Sequence, residues 1–207
     1  MSKTVEIYYD FGSPATYLAY TQMDGLAQRT GATVIWKPAL LGGIFKAAEN
    51  RSPATVAPKG RWMWHDLKRY ADLYGVPFVM NSKFPVNTLY LMRGALIAHK
   101  NGYDALYRQV MFEAMWVKNI DLTNGEIVAD VLADADIDVD QIMDGIEEPA
   151  VKQELIDRTA EAVERGVFGM PTFFIGDEMH FGQDRLYWVE LALSDGDDSH
   201  IPYPIFK

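Results

Sequence analysis

Short apolar, β-branched runs stand near both ends of the chain, and helical periodicity fills its middle. Thr4 to Phe11 (TVEIYYDF) is an aromatic and β-branched run that predicts a strand, halted at Gly12. Ser13-Pro14 follows, a capping hydroxyl ahead of a proline suited to the first helical position. Leu18, Ala19, Met23, Leu26 and Ala27 then recur at helical spacing, and Gly31 closes that helix. Ala32 to Lys37 (ATVIWK) predicts a second strand, ended by Pro38. A strand–helix–strand unit of this kind predicts a right-handed crossover into a parallel pair.

From Leu40 to Pro58 the periodicity lapses among glycines and prolines, which predicts a loop or broken helices. Helices are predicted over Arg61–Tyr74, with Met63, Leu67, Tyr70, Ala71 and Tyr74 on one face, and over Thr88–Lys100 and Tyr103–Trp116. Asn124–Leu132, Val139–Ile146 and Ala150–Arg165 continue the helical pattern. After Gly166 the pattern returns to strand: Thr172–Ile175, a turn at Gly176-Asp177, then Met179–Phe181, together a hairpin. Asp184–Leu193 predicts a last helix, and the tail DGDDSHIPYPIFK suits packing over a neighbouring surface or a partner subunit. The expected class is α/β, with a helical lobe (41–150) inserted between two parts (1–40 and 151–207) of a strand-containing domain.

Composition narrows the chemistry. The 207 residues are 49% hydrophobic and 23% charged, enough to fill a sizeable core, and contain no cysteine. Disulfides, cysteine-ligated clusters and a catalytic thiol of the chain's own are excluded. The formal net charge of -10 opposes binding to phosphate backbones. The acidic run Asp134–Glu148 reads as a solvated face, since it lacks the spacing and glycine of a calcium loop. The first residues lack the apolar core of a signal peptide, and no stretch approaches the roughly 18 apolar residues of a membrane span, so a cytoplasmic protein is expected.

His65, His99, His180 and His200 form no local ligand pair, so no metal site is expected. Glycine-rich nucleotide motifs and a GxSxG elbow are absent. Ser13 is the leading candidate, because a helix start favours an anion through its free amides and dipole; the alternative is a plain capping serine. Lys46, Asn50, Arg51 and Lys59 could hold a carboxylate or simply be solvated loop residues. Met170-Pro171 opens the third strand: a cis bond, found at about 5% of such bonds, would expose the Met170 backbone to an extended ligand. A plain strand-start proline is the alternative. Gln183-Asp184-Arg185 opens the last helix, where Asp184 could cap the helix or receive an ammonium group.

These pieces, in order, resemble a known arrangement. DFGSPATYLAY, KPALLGGIFKAAEN, DLKRYADLYGVPF, FPVNTLYLMRG and RTAEAVERGVFGMPTFFIGDEMHFGQDRL are similar to the 2-hydroxychromene-2-carboxylate isomerase family, relatives of kappa-class glutathione transferases with a DsbA-like thioredoxin fold. The resemblance runs from about Val5 to Leu193 and departs from the usual pattern at Ala15-Thr16, His180 and Tyr187. It implies a thioredoxin-like domain with a large inserted all-helical domain, glutathione as cofactor and a homodimer. Ser13-Pro14-Ala15-Thr16 stands where disulfide oxidoreductases carry CxxC, so the resemblance implies a thiol borrowed from glutathione and held by Ser13. It implies that Met170 and Pro171 pair with the cysteinyl part, and that Gln183, Asp184 and Arg185 surround the γ-glutamyl end. Lys46, Asn50 and Arg51 would lie near an aromatic substrate, with Phe84, Pro85 and Asn87 walling the pocket. The implied reaction is thiolate addition, ring opening, bond rotation and thiol loss, giving trans-o-hydroxybenzylidenepyruvate in aromatic catabolism. A kappa-type transferase that releases a conjugate, and a non-catalytic thioredoxin-like binding protein, are the alternatives.

Overall fold

A computed structural model describes residues 3–194 together with Gly196 and Ser199. Among the described residues four strands form one sheet in the order β2-β1-β3-β4. Strand β1 (Thr4–Tyr9) runs parallel to β2 (Thr33–Pro38), with Ile7 opposite Trp36, and antiparallel to β3 (Thr172–Ile175), with Ile7 opposite Phe173. The hairpin closes with β4 (Glu178–Phe181). Helix α1 (Pro14–Thr30) crosses between β1 and β2, capped by Ser13 and ended by Gly31 in the left-handed region at φ 66°, a conformation glycine adopts without a Cβ penalty.

Alternation along β1 divides the sheet. Val5 and Ile7 point to one face, where they pack with Met23 and Leu26 of α1, Phe173, and Val189 and Leu193 of α9 (Leu186–Leu193). Tyr8 points to the other face and meets Phe174, Ile44 of α2 (Leu41–Ala47) and Ala162 of α8 (Pro149–Glu164). On that face Lys37 bridges Glu6 and Glu161 at 3.1 Å each, and Arg165 reaches Glu6 at 2.7 Å while lying 3.9 Å over the Phe174 ring. Tyr8 donates to Glu161 at 2.9 Å, completing a network that ties α8 to the sheet.

Between β2 and α8 stand α3 (Ala57–Tyr74), α4 (Leu89–Lys100), α5 (Asp104–Trp116), α6 (Gly125–Ala133) and α7 (Val139–Gly145). Their core holds Met92, Met111, Phe112, Met115 and Trp116, and takes in Tyr9 and Phe11 from the end of β1. Trp116 donates its indole N–H to the Phe11 carbonyl at 2.8 Å, fixing the lobe on the β1–α1 turn. Helix α8 belongs to both cores: Val151 and Leu155 pack in the lobe and Ala162 on the sheet. The acidic residues from Asp134 to Glu148 are exposed, and Asp138 caps α7 through the Gln141 N–H.

Two elements differ from the sequence expectation. Helix α3 begins at Ala57 rather than Arg61, because Pro58 occupies the first turn, where a missing N–H costs nothing. The expected last helix is divided: Gln183–Arg185 form a 3-10 turn and α9 starts only at Leu186. Gly182, at φ 97°, turns the chain, and the Arg185 N–H closes back on its carbonyl at 3.2 Å. Asp184 therefore caps no helix. The tail from Asp195, with His200, lies outside the described residues apart from Gly196 and Ser199.

Candidate active site

Ser13 ends the turn that leaves β1. Its Oγ accepts the Thr16 N–H at 3.1 Å and donates to the Met170 carbonyl at 2.9 Å, across 157 residues. The side chain is buried, and Pro14 follows inside the first turn. Asp10 holds this turn in place. Its fully buried carboxylate accepts the Gly12 N–H at 2.8 Å, the Leu41 N–H at 2.8 Å and the Thr88 hydroxyl at 2.7 Å. One side chain thus joins the Ser13 turn, the start of α2 and the head of α4. Burial raises the Asp10 carboxyl above its ordinary value, against the lowering effect of those three donors.

The Met170–Pro171 peptide is cis, as is Phe84–Pro85. The Gly182 N–H donates to the Pro171 carbonyl at 2.9 Å and the Thr172 hydroxyl to the Gly169 carbonyl at 2.8 Å, so the hairpin locks the segment beside Ser13. Among the described residues nothing accepts the Met170 N–H.

A cavity of about 620 Å³ opens on this junction. It gathers Ser13, Met170, Gln183 and Asp184 with Asn50, Arg51, Phe84 and Pro85, residues from both ends and the middle of the chain. Four expected residues lie elsewhere. Lys46 is exposed, because α2 turns Leu41, Gly42 and Phe45 to the cavity and Ile44 to the core. Asn87 accepts the Leu89 N–H at 3.1 Å and lines a separate cavity of about 350 Å³ in the lobe. Arg185 is half exposed and ion-paired with Asp184, off the wall. Pro171 is buried behind Met170. Asn50 lies on the wall, but its amide is engaged at both ends: Nδ2 donates to the Phe168 carbonyl at 2.9 Å and Oδ1 accepts the Arg51 N–H at 2.8 Å.

Apart from Lys59, one wall of the cavity holds no residue that the sequence marked as functional. Lys59, Trp62, Met63, Asp66 and Leu67 of α3 all line the cavity, spaced i, i+3, i+4, i+7, i+8. Trp62, Met63, Asp66 and Leu67 lie within the expected Arg61–Tyr74 helix, and beginning that helix at Ala57 adds Lys59 to the stripe. Phe168 and Phe181 complete the rim, their rings 4.6 Å apart. Chemically the site offers a hydroxyl at a helix start, a free backbone N–H, carboxylates at Asp66 and Asp184 and two cations, Arg51 and Lys59, within apolar walls. Among the described residues no three metal-ligating side chains come together. An extended peptide with an amino-acid end fits this set: a backbone partner at Met170, an amide at Gln183 whose side chain has no partner among the described residues, and an acid at Asp184 for an ammonium.

The family model of the DSBA-like thioredoxin domain matches residues 4–194. The chain belongs to that family. Within it, the chain is 31% identical over 197 residues to the 2-hydroxychromene-2-carboxylate isomerase of Sphingobium xenophagum, covering 94% of this chain and all of the relative. A solved structure of a 2-hydroxychromene-2-carboxylate isomerase superposes with a TM-score of 0.84 at 31% identity, over 93% of this chain and 95% of that one. Glutathione S-transferase kappa 1 of Homo sapiens is 24% identical over 201 residues, 90% of this chain and 88% of the relative. This DSBA-like chain is a cysteine-free member: Ser13 and Thr16 occupy the two ends of the segment that opens α1.

Proposed function

We propose that this protein is a glutathione-dependent isomerase that converts 2-hydroxychromene-2-carboxylate, an enzyme of aromatic catabolism. The observation that carries the reading is the Ser13 hydroxyl, held between the Thr16 N–H and the Met170 carbonyl, on a cavity that Met170, whose N–H no described group accepts, also lines. The likeness to two isomerases of that name supports it across nearly the full chain. When bound, glutathione supplies a thiol whose reversible addition makes a fixed double bond rotatable.

The protein's own contribution is placement and charge. The Ser13 hydroxyl, turned from the Met170 carbonyl to a bound sulfur, donates to it and favours its ionised form. The Thr16 N–H keeps donating to Oγ through that turn, which strengthens the hydroxyl as a donor. The dipole at the head of α1 adds positive potential at the same point. The Met170 N–H aligns an extended backbone, and Asp184 receives an ammonium while Arg185 holds the Asp184 carboxylate. Arg51 and Lys59 stand on the wall to hold a substrate carboxylate, and Phe84 and Pro85 close the lobe side. A spectrophotometric isomerisation assay with and without reduced glutathione tests the reading. Turnover that depends on the thiol supports it; accumulation of a stable conjugate instead would make the protein a transferase, and no glutathione binding would make it a binding module. The same reading carries a homodimer, which light scattering on the purified protein checks.

A further inference from the structure

We propose that Trp62, Phe168 and Phe181 form an aromatic mouth on the cavity and that the Trp62 indole is its specificity-determining face, the surface on which the substrate's ring stacks. The inference rests on the proposed isomerase reading and names the side chains that recognise the ring. All three side chains line the same cavity as Ser13. They are 62%, 38% and 40% exposed, so each leaves a large apolar face to water that an incoming ring would cover. The Phe168 and Phe181 rings pair with each other at 4.6 Å and a 50° tilt, and none of the described rings stacks on Trp62. Its neighbour Trp64 by contrast spends its ring on Phe84, at 5.0 Å.

The mouth is built rather than accidental. Gly169 lies under Phe181, where a Cβ would come within 2.8 Å of the ring, so only glycine lets Phe181 lie over this segment. The Asn50 amide fixes the Phe168 carbonyl at 2.9 Å, which holds that ring's backbone against the loop carrying Arg51. Lys59 precedes Trp62 by three residues on one helical face, so an indole plane and a cation stand side by side. A planar arene stacked on the indole would carry its carboxylate within reach of Lys59, with Arg51 on the same wall. An aliphatic electrophile would gain the charge contact and lose the stacking.

Steady-state isomerisation by Trp62→Ala and Trp62→Phe tests this. Loss of ring stacking and covered area is expected to raise KM for the chromene carboxylate about tenfold in Trp62→Ala, with kcat and calorimetric glutathione affinity held, and Trp62→Phe is expected to recover most of the loss. An unchanged KM in Trp62→Ala overturns the proposal while leaving the isomerase reading intact, and so does an equal loss of glutathione affinity. Should the wild type not isomerise at all, that reading fails, and the mouth is tested by binding alone. Titration with 2-naphthoate is then expected to quench tryptophan fluorescence in the wild type more than in Trp62→Phe, and cyclohexanecarboxylate is expected to do neither. Equal quenching by both proteins overturns the mouth.

Discussion

Replacing Ser13 by alanine removes an oxygen with two separable jobs. As a helix cap it accepts the Thr16 N–H at 3.1 Å, and losing a serine cap costs about 1 kcal/mol. As a donor it satisfies the Met170 carbonyl at 2.9 Å; leaving that buried acceptor unpaired costs about 1 kcal/mol more. A chain of this length should then melt roughly 4–8 °C lower. The catalytic job is larger. A positioned donor to a developing anion is worth about 10²–10³ in rate, roughly 3–4 kcal/mol of barrier. Glycine separates the two, because it caps a helix within a few tenths of a kcal/mol of serine yet has no hydroxyl. Ser13→Gly should therefore recover part of the lost melting temperature and none of the lost rate. The assay pairs thermal melts with isomerisation at saturating glutathione, and thiolate absorbance against pH reads whether the bound thiol's pKa rises in both variants. Activity that recovers together with stability in Ser13→Gly would refute the argument, since the hydroxyl would then be a cap alone.

Two further outcomes follow from buried and networked carboxylates. Burial by itself would raise Glu6 and Glu161, but hydrogen bonds outweigh it, from Arg165 and Lys37 to Glu6 and from Lys37 and Tyr8 to Glu161, and hold both below the ordinary 4.5. Depressed folded values give stability that is present above the unfolded pKa and is lost as pH falls through the folded one. Glu6→Gln with Glu161→Gln should lower stability at pH 7 by about 1 kcal/mol, the pair being partly exposed, and flatten the acid limb of a melt series; identical acid limbs would contradict this. Asp10→Ala should cost about 3 kcal/mol in urea unfolding, since one buried and two partly buried donors lose their acceptor, and a loss below about 1 kcal/mol would mean water replaces it.

Local chemistry alone settled the elements that flank the site. The capped start of α1, its glycine stop, the parallel pairing of β1 with β2 and the hairpin after Pro171 all follow from spacing within about 30 residues, where capping, periodicity and turn residues act. The family resemblance, with Ser13-Pro14 where a CxxC would stand in a chain without cysteine, implied a borrowed thiol. Where the local reading went astray, the cause was also local: Pro58 looks like a helix breaker, yet a proline in a first turn costs no hydrogen bond, so the expected Arg61–Tyr74 helix takes in Trp62, Met63, Asp66 and Leu67 but leaves out Lys59, which α3 in fact contains.

The site itself was decided by tertiary packing. Ser13 meets Met170 across 157 residues and Asn50 meets Phe168 across 118, contacts that no periodicity encodes because burial of distant apolar faces brings them together. Asp10 is an acid at the end of an apolar strand, and only the arrival of Leu41 and Thr88 makes it a buried hub. The same folding turns Lys46 and Asn87 away from the cavity, and leaves Trp62, Phe168 and Phe181 on its rim. The sequence determined which groups were on hand; the packing of lobe on sheet determined which of them share one space.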